Sequence, residues 1–333
     1  MSDSSRTRSS KASPTHSRSR VIILGLLTVS AAVLLAQPPE LLAQAASDDA
    51  KIVRRWNLPG DPHGLAIGRD GTIYVGLAQP QSVVAIDPKS GAVRQRVVLD
   101  SAEIASTKEL LTLRMNRERT RLYVANGSDE SATILTLPGL HVLREITMEG
   151  EPIRDALPDP KGRYLYLLGR HVHVFDTNGE TELHTLNVDD PSAIAANATT
   201  LAVASGEEVV SFDTATFARP ARSALGAKGV TALLYAPNGT LIGMTPAVLV
   251  IGSTSTPICL PDGSGPQIAA TASDLLLFAE KRCSSSGVAA GAASLYGVSA
   301  YAIACDAATQ SLITTDRAGY LTIYRIPRAT AIR

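Results

Sequence analysis

The sequence predicts an all-β fold built from repeated four-stranded units, on three observations. One strand-and-turn layout recurs down the chain, tight-turn signals close its hairpins, and no convincing amphipathic helix separates the copies. The layout is plainest in IYVGLAQPQSVVAIDPKSGAVRQRVVL from Ile73, LYVANGSDESATILTLPGLHVLREITM from Leu122 and LYLLGRHVHVFDTNGETELHTLNV from Leu165. In each, an apolar strand, a short polar loop, an alternating strand and a glycine-bearing turn (KSG, LPG or TNG) lead to a third strand. Fainter copies start at Leu201, Leu241, Leu276 and Leu312, so successive starts lie 49, 43, 36, 40, 35 and 36 residues apart.

Each copy has a further apolar strand upstream, often closed by a turn: GLAIGRDG (64–71), IRDALPDPKG (153–162), VTALLYAPNG (230–239) and AYAIACDAATQ (300–310). Asp-Gly and Asn-Gly tolerate the positive φ that tight hairpins demand. Four short antiparallel strands at a period near 40 are the pattern of a propeller blade. One blade cannot bury both of its faces, whereas a ring of blades buries them all and leaves few open edges. The count predicts a single β-propeller of seven four-stranded blades over residues 51–333. It falls to six if the sixth and seventh units are one, because CSSSGVAAGAASLYGVS (283–299) is poor in strand formers. The last unit runs out of chain after LTIYRI, while KIVRRWNL (51–58) is surplus ahead of the first. The N-terminal strand is therefore expected to complete the last blade and close the ring.

Residues 1–45 read differently. Five cations (Arg6, Arg8, Lys11, Arg18, Arg20) and Asp3 give residues 1–20 a net charge of +4, although the whole chain is formally neutral. The uncharged run VIILGLLTVSAAVLLA (21–36) follows, then the small-x-small triplet Ala43-Gln44-Ala45. This is the layout of a basic n-region with a hydrophobic signal peptide, or with an uncleaved signal anchor. Either way the rest of the chain is expected outside the cytoplasm, in the periplasm or extracellular, with membrane contact only through residues 21–36 if they are retained. Arg18 and Arg20 are separated by Ser19, so a twin-arginine signal is not supported.

Composition narrows the function. Aromatics make up 4% of the chain and the rest of it lacks a basic footprint, which argues against nucleic acid and against aromatic stacking platforms. Three cysteines, Cys259, Cys283 and Cys305, have no C-x-x-C spacing, so zinc ribbons, thiol redox motifs and haem attachment lack their signature. If a disulfide forms, Cys259–Cys283 is the expected pair, because both fall at strand ends on one face of neighbouring blades. No HExxH, Walker A, GxGxxG, GxSxG or EF-hand loop is present. No catalytic residue, metal or cofactor is assigned.

Ligands of ring folds sit at one mouth of the central channel, among the loops leading into the innermost strands. Here those loops carry Asp61 and His63 (GDPHG), Arg154 (GEPIR), Asp189 and Asp190 (DDP) and Lys228 (AKG). Four blades would thus bring an imidazole, a guanidinium, carboxylates and an ammonium to one rim, able to hold a small polar ligand by charge-assisted hydrogen bonds. Equally, these are the polar residues any loop shows to water. His171 and His173 stand two apart on a strand and so share a face, but no third ligand lies near them in sequence.

The stretches IYVGLAQPQSVVAID, LYVANGSDESATILTL and LYLLGRHVHVFDT resemble repeats of the YVTN-type β-propeller family. DPHGLAIGRDGTIYV is similar to the related NHL-type repeats, and LITTDRAGYLTIYRI to a degenerate WD40 unit. The resemblance covers roughly residues 52–326 and implies a propeller, a fold that hosts many unrelated functions. Together with the missing motifs it points to an exported, non-enzymatic binding or protein-interaction scaffold in the periplasm or cell envelope. Its partner would be a protein, or a small polar ligand at the channel mouth. Two alternatives follow from the resemblance. One is a lactonase-like hydrolase using His63, Arg154 and Asp190 at the mouth. The other is an accessory subunit of a periplasmic quinone-cofactor dehydrogenase.

Overall fold

A computed structural model describes residues 51–325 apart from 100–110, 128–129, 219, 246, 253, 258–267, 271–275, 281–291, 297–299, 307–308, 310 and 317. The leader expected over residues 1–45 and both members of the expected Cys259–Cys283 pair lie outside the described residues. Among the described residues no helix is long and apolar enough to cross a membrane.

The chain opens with β1 (Lys51–Asn57) and then forms five antiparallel meanders of four strands. Blade one is β2 (Pro62–Ile67), β3 (Ile73–Ala78), β4 (Gln81–Ile86) and β5 (Val93–Val98). Blade two is β6 (Leu111–Met115), β7 (Arg121–Asn126), β8 (Ser131–Thr136) and β9 (His141–Thr147). Blade three is β10 (Asp155–Pro158), β11 (Tyr164–Leu168), β12 (Val172–Asp176) and β13 (Glu182–Leu186). Blade four is β14 (Pro191–Ala196), β15 (Thr200–Ser205), β16 (Glu208–Asp213) and β17 (Ala221–Ala224). Blade five is β18 (Ala232–Tyr235), β19 (Leu241–Met244), β20 (Val248–Ile251) and β21 (Thr254–Pro257). A smaller sheet follows, β22 (Ile268–Ala270), β23 (Leu276–Glu280) and β24 (Ala292–Tyr296). The last blade is β25 (Ala302–Asp306), β26 (Ser311–Thr315) and β27 (Tyr320–Arg325), with β1 as its outer strand.

Among the described residues six blades are therefore four-stranded, not seven. The sheet between blade five and the last blade has three strands, and β24 runs parallel to β23 where a meander would return antiparallel. The physical reason lies in the sequence between and within those strands: the Ser, Gly and Ala of 284–294 offer neither an apolar run nor the alternation that fixes register.

The alternation of the other strands explains how the blades hold together. In blade one, Val75, Leu77, Val84 and Ile86 point to the last blade and meet Ile313, Leu321 and Ile323. Tyr74, Val83 and Ala85 point the other way and meet Leu111, Leu122 and Leu135 of blade two. The same exchange continues from blade two to three, three to four and four to five. Both faces of the inner strands are thus buried, and the strands read as apolar runs instead of alternating with polar residues. The innermost strands approach so closely that a Cβ on Gly64 would stand 2.3 Å from the Leu111 carbonyl oxygen.

The turns repeat as well. Between the first and second strands, an Asp or Asn side chain accepts from amides just ahead of it. Asp70 takes the Thr72 amide, Asn116 those of Thr120 and Arg121, Asn197 those of Thr199 and Thr200, and Asn238 that of Thr240. These Asx turns stand in for backbone hydrogen bonds that a tight reversal leaves open. Between the third and fourth strands Asp87, Asp176 and Asp213 do the same. At Asp87 the amides of Ser90 and Lys89, with Arg94, hold the carboxyl down at about 2.

The packing yields a stability contrast. Ile134, fully buried between blades two and three, is expected to cost about 2–5 kcal/mol when replaced by alanine. Leu143, 44% exposed on β9, is expected to change stability by no more than about 0.5 kcal/mol. Chemical denaturation of the two variants measures both.

Candidate functional site

The loops leading into the innermost strands lie at the same strand ends as the loops between second and third strands, because each blade is a simple meander. At this mouth Asp61 and Asp190 occupy corresponding places, each just ahead of the proline that begins an innermost strand, β2 or β14. Both have a left-handed backbone, with φ of 56° for Asp61 and 43° for Asp190. A non-glycine residue there is held against a penalty of roughly 1–2 kcal/mol, and such residues concentrate at working sites.

Of the residues expected at the mouth, Asp61 and His63 are brought into direct contact. His63 Nε2 lies 3.3 Å from Asp61 Oδ2. The imidazole is fully buried and stacks on Tyr301 with ring centroids 4.5 Å apart and planes inclined by 17°. His63 thus belongs to the seam between blade one and the last blade, where its carbonyl also accepts the Thr315 hydroxyl at 3.0 Å.

Arg154 is engaged with backbone carbonyls. Its Nη2 donates to the carbonyls of Gly169 and Pro191, each at 2.5 Å, so it fastens blade three to the start of blade four beside Asp190. Two hydroxyls do related work: Thr112 of β6 donates to the Arg154 carbonyl at 3.2 Å, and Ser192 of β14 to the Val230 carbonyl at 2.6 Å. Each passes from an innermost strand to the segment just before the next one. Asp189, Asp190 and Lys228 remain exposed.

Two groupings escaped the sequence reading. Arg114 of β6 makes a two-pronged ion pair with Asp155 of β10, Nε to Oδ1 at 3.1 Å and Nη2 to Oδ2 at 2.8 Å. A charge inside the apolar strand LTLRM was the signal for it. The second grouping surrounds His173. Its Nδ1 lies 2.8 Å from Glu182 Oε1 and its Nε2 3.2 Å from Glu151 Oε1, and donation to both needs a proton on each nitrogen. His171 contributes its backbone amide to Glu151, 2.9 Å away, and its own ring is exposed. Burial alone would raise both carboxyls. The His171 amide, the His173 ring and its charge pull Glu151 below its ordinary value, and the Thr185 hydroxyl with the same ring does so for Glu182. Among the described residues no group of three or more His, Cys, Asp or Glu is placed to hold a metal. Cys305 is half-buried on β25, and burial together with the Asp306 charge pushes its thiol up to about 11, away from the reactive thiolate.

These meanders, their shared cores and their inward-facing first strands define the architecture. The chain folds as a β-propeller. It is similar to the solved β-propeller domain of Cps50 (Swd1) from Myceliophteria thermophila, with a TM-score of 0.62, 14% identity, and coverage of 83% of this chain and 99% of that one. At that identity the likeness concerns the fold alone, and 1526 solved chains match it, too many for it to select an activity. No protein-family model and no curated protein matches the sequence.

The His173 grouping generates a pH dependence. Because Glu151 and Glu182 titrate below their ordinary value of 4.5 in the folded chain, their stabilisation is full above that value and is lost as pH falls through the lowered ones. His173→Ala is expected to cost about 1–3 kcal/mol at pH 7 and to flatten the loss of stability below pH 4.5. Urea denaturation of both proteins across pH reads the two effects.

Proposed function

We propose that this chain is an exported β-propeller with YVTN-type repeats that serves as a protein-interaction scaffold in the periplasm or cell envelope. The observation that carries the reading is the contrast between mouth and rim. At the mouth, the Arg154 guanidinium is engaged by backbone carbonyls, and His63 is stacked into a seam. At the rim, outer strands expose large aliphatic side chains: Val142 at 54%, Leu143 at 44% and Leu183 at 43%. Exposed aliphatics on neighbouring blades are what a protein partner would cover. The basic n-region, apolar run and Ala-x-Ala triplet support export. The turn aspartates Asp87, Asp176 and Asp213 recur at one place in three blades, as a shared repeat type requires.

A second reading, a small polar ligand at the mouth, is favoured by one observation: Asp61 and Asp190 are both held left-handed there. The lactonase-like alternative needs His63, Arg154 and Asp190 to converge, and Arg154 is otherwise engaged. Nothing among the described residues favours a quinone-cofactor partner.

Photo-crosslinking separates the readings. With a photoreactive residue at Val142 or Leu183, the tagged protein in the envelope fraction is expected to give a discrete adduct, and one at Lys228 is not. Rim positions without adducts, together with a ligand whose thermal shift vanishes in Asp61→Ala/His63→Ala, would replace the scaffold with a mouth site. N-terminal sequencing of the mature protein is expected to begin after Ala45 if the leader is cleaved.

A further inference from the structure

The seam where blade one meets the last blade differs from the rest of the rim. Segments 51–57 and 87–98 carry Lys51, Arg54, Arg55, Lys89, Arg94 and Arg96 against Asp87 alone. Yet the chain beyond residue 20 has four more acids than bases, 30 against 26. The other outer strands show no such bias: β9 holds Arg144 beside Glu145, β13 holds Glu182, β17 holds Arg222, and β21 has no charge.

Register shows which of these side chains face each other. Arg54 and Trp56 stand opposite Ile323 and Leu321, and Lys51 opposite Arg325. Val93, Arg96 and Val98 stand opposite Ile86, Val84 and Ser82. Ile323, Leu321, Ile86 and Val84 share the core between these two blades, with Trp56 against it. Cross-strand partners share a face, so Lys51, Arg54 and Trp56 look across at Val93, Arg96 and Val98. Arg54 Nη1 donates to the Pro88 carbonyl at 2.5 Å, and Trp56 lies on Gly91, which ties the two walls at the base. The outward part is open: Val93 is 49% exposed, Val98 50%, and Lys51 and Arg96 are exposed.

We propose that this cleft is a docking surface for an anionic lipid bilayer, resting on the reading that the protein works at the cell envelope. The three features of an interfacial anchor meet here: cations on long aliphatic stems, exposed aliphatics, and a half-buried tryptophan. The single carboxylate of these two segments, Asp87, is paired with Arg94, so Lys51, Arg54 and Arg96 complement lipid phosphates. Its position in the chain fits as well. By sequence, fourteen residues separate Ala36, the end of the apolar run, from Lys51, and a chain of that length reaches no further than roughly 50 Å. A leader kept in a membrane therefore keeps β1 nearer that membrane than a free chain would be, and β1 forms one wall of the cleft.

Trp56 is the single tryptophan of the chain, so its fluorescence reports this cleft alone. The full-length protein is titrated with vesicles of brominated phosphatidylglycerol and, separately, brominated phosphatidylcholine. Quenching of Trp56 is expected on the anionic vesicles and is expected to fade in high salt. Lys51→Gln/Arg96→Gln is expected to weaken the quenching titration by roughly fivefold for each cation removed, and Lys51→Glu/Arg96→Glu by more. Arg170→Glu, on an exposed loop of blade three, should leave it unchanged. Unchanged melting temperatures establish that the variants fold. Vesicles that float with the protein without quenching Trp56 would overturn the proposal, since the leader alone would then hold the membrane and the cleft would be left for an acidic protein. Quenching indifferent to the two substitutions overturns it too. Cell fractionation tests the export reading separately, so a protein that stays in the cytoplasm yet shows charge-dependent quenching removes that reading and keeps this one.

Discussion

Burial on both faces of each blade is the constraint from which the rest of this structure follows. Leu77, Val84 and Ile86 have no partner within their own sheet that could cover them; the last blade does so. Tyr74 and Val83, on the opposite face, depend in the same way on blade two. A single blade would leave one or both of these sets in water, so stability belongs to the pairs of neighbours. The same constraint places the polar chemistry. With the faces occupied by apolar side chains, most charged groups lie at strand ends, in turns and on the outer strands, Arg114 inside β6 being paired with Asp155.

Strand ends near the channel serve two purposes that compete for the same residues. Each innermost strand must be fixed to the next, and hydroxyls and guanidinium groups close to the mouth do this by donating to carbonyls across the gap. Thr112, Ser192 and Arg154 are used in this way. A mouth whose donors hold its own walls has fewer of them for a ligand. The rim carries some of this duty too, through Arg54 and Arg144, while its outer strands also expose aliphatic side chains to solvent.

Much of the fold was legible in the sequence because its signals are local. The Asx turns at Asp70, Asn197 and Asn238 depend on residues two or three positions away, and the strands between them declare themselves as apolar runs. The surplus KIVRRWNL segment also declared itself, and β1 lies beside β27. The irregular sheet was harder: its Ser, Gly and Ala segment carries too little pattern to say how β24 pairs. For the polar residues expected at the mouth, the sequence did not show what they would touch. The partners of Arg154 are carbonyl oxygens, a group every residue carries, so no sequence pattern marks them. The burial of His63 depends on Tyr301, far along the chain. Arg114 could have been found, since a cation amid LTLRM requires a counterion, although only the structure names Asp155.

The pairing of β1 with β27 has a consequence for how the molecule is made. Lys51 leaves the ribosome among the earliest of these residues and Arg325 among the last, yet the two are register partners. β1 must therefore wait for nearly the whole domain before it finds its place. Until then its unsatisfied edge and its exposed Ile52 and Val53 are available to the wrong partners, another copy of the chain included. The cations on the same strand, Lys51, Arg54 and Arg55, make that interval safer, because like charges keep waiting chains apart.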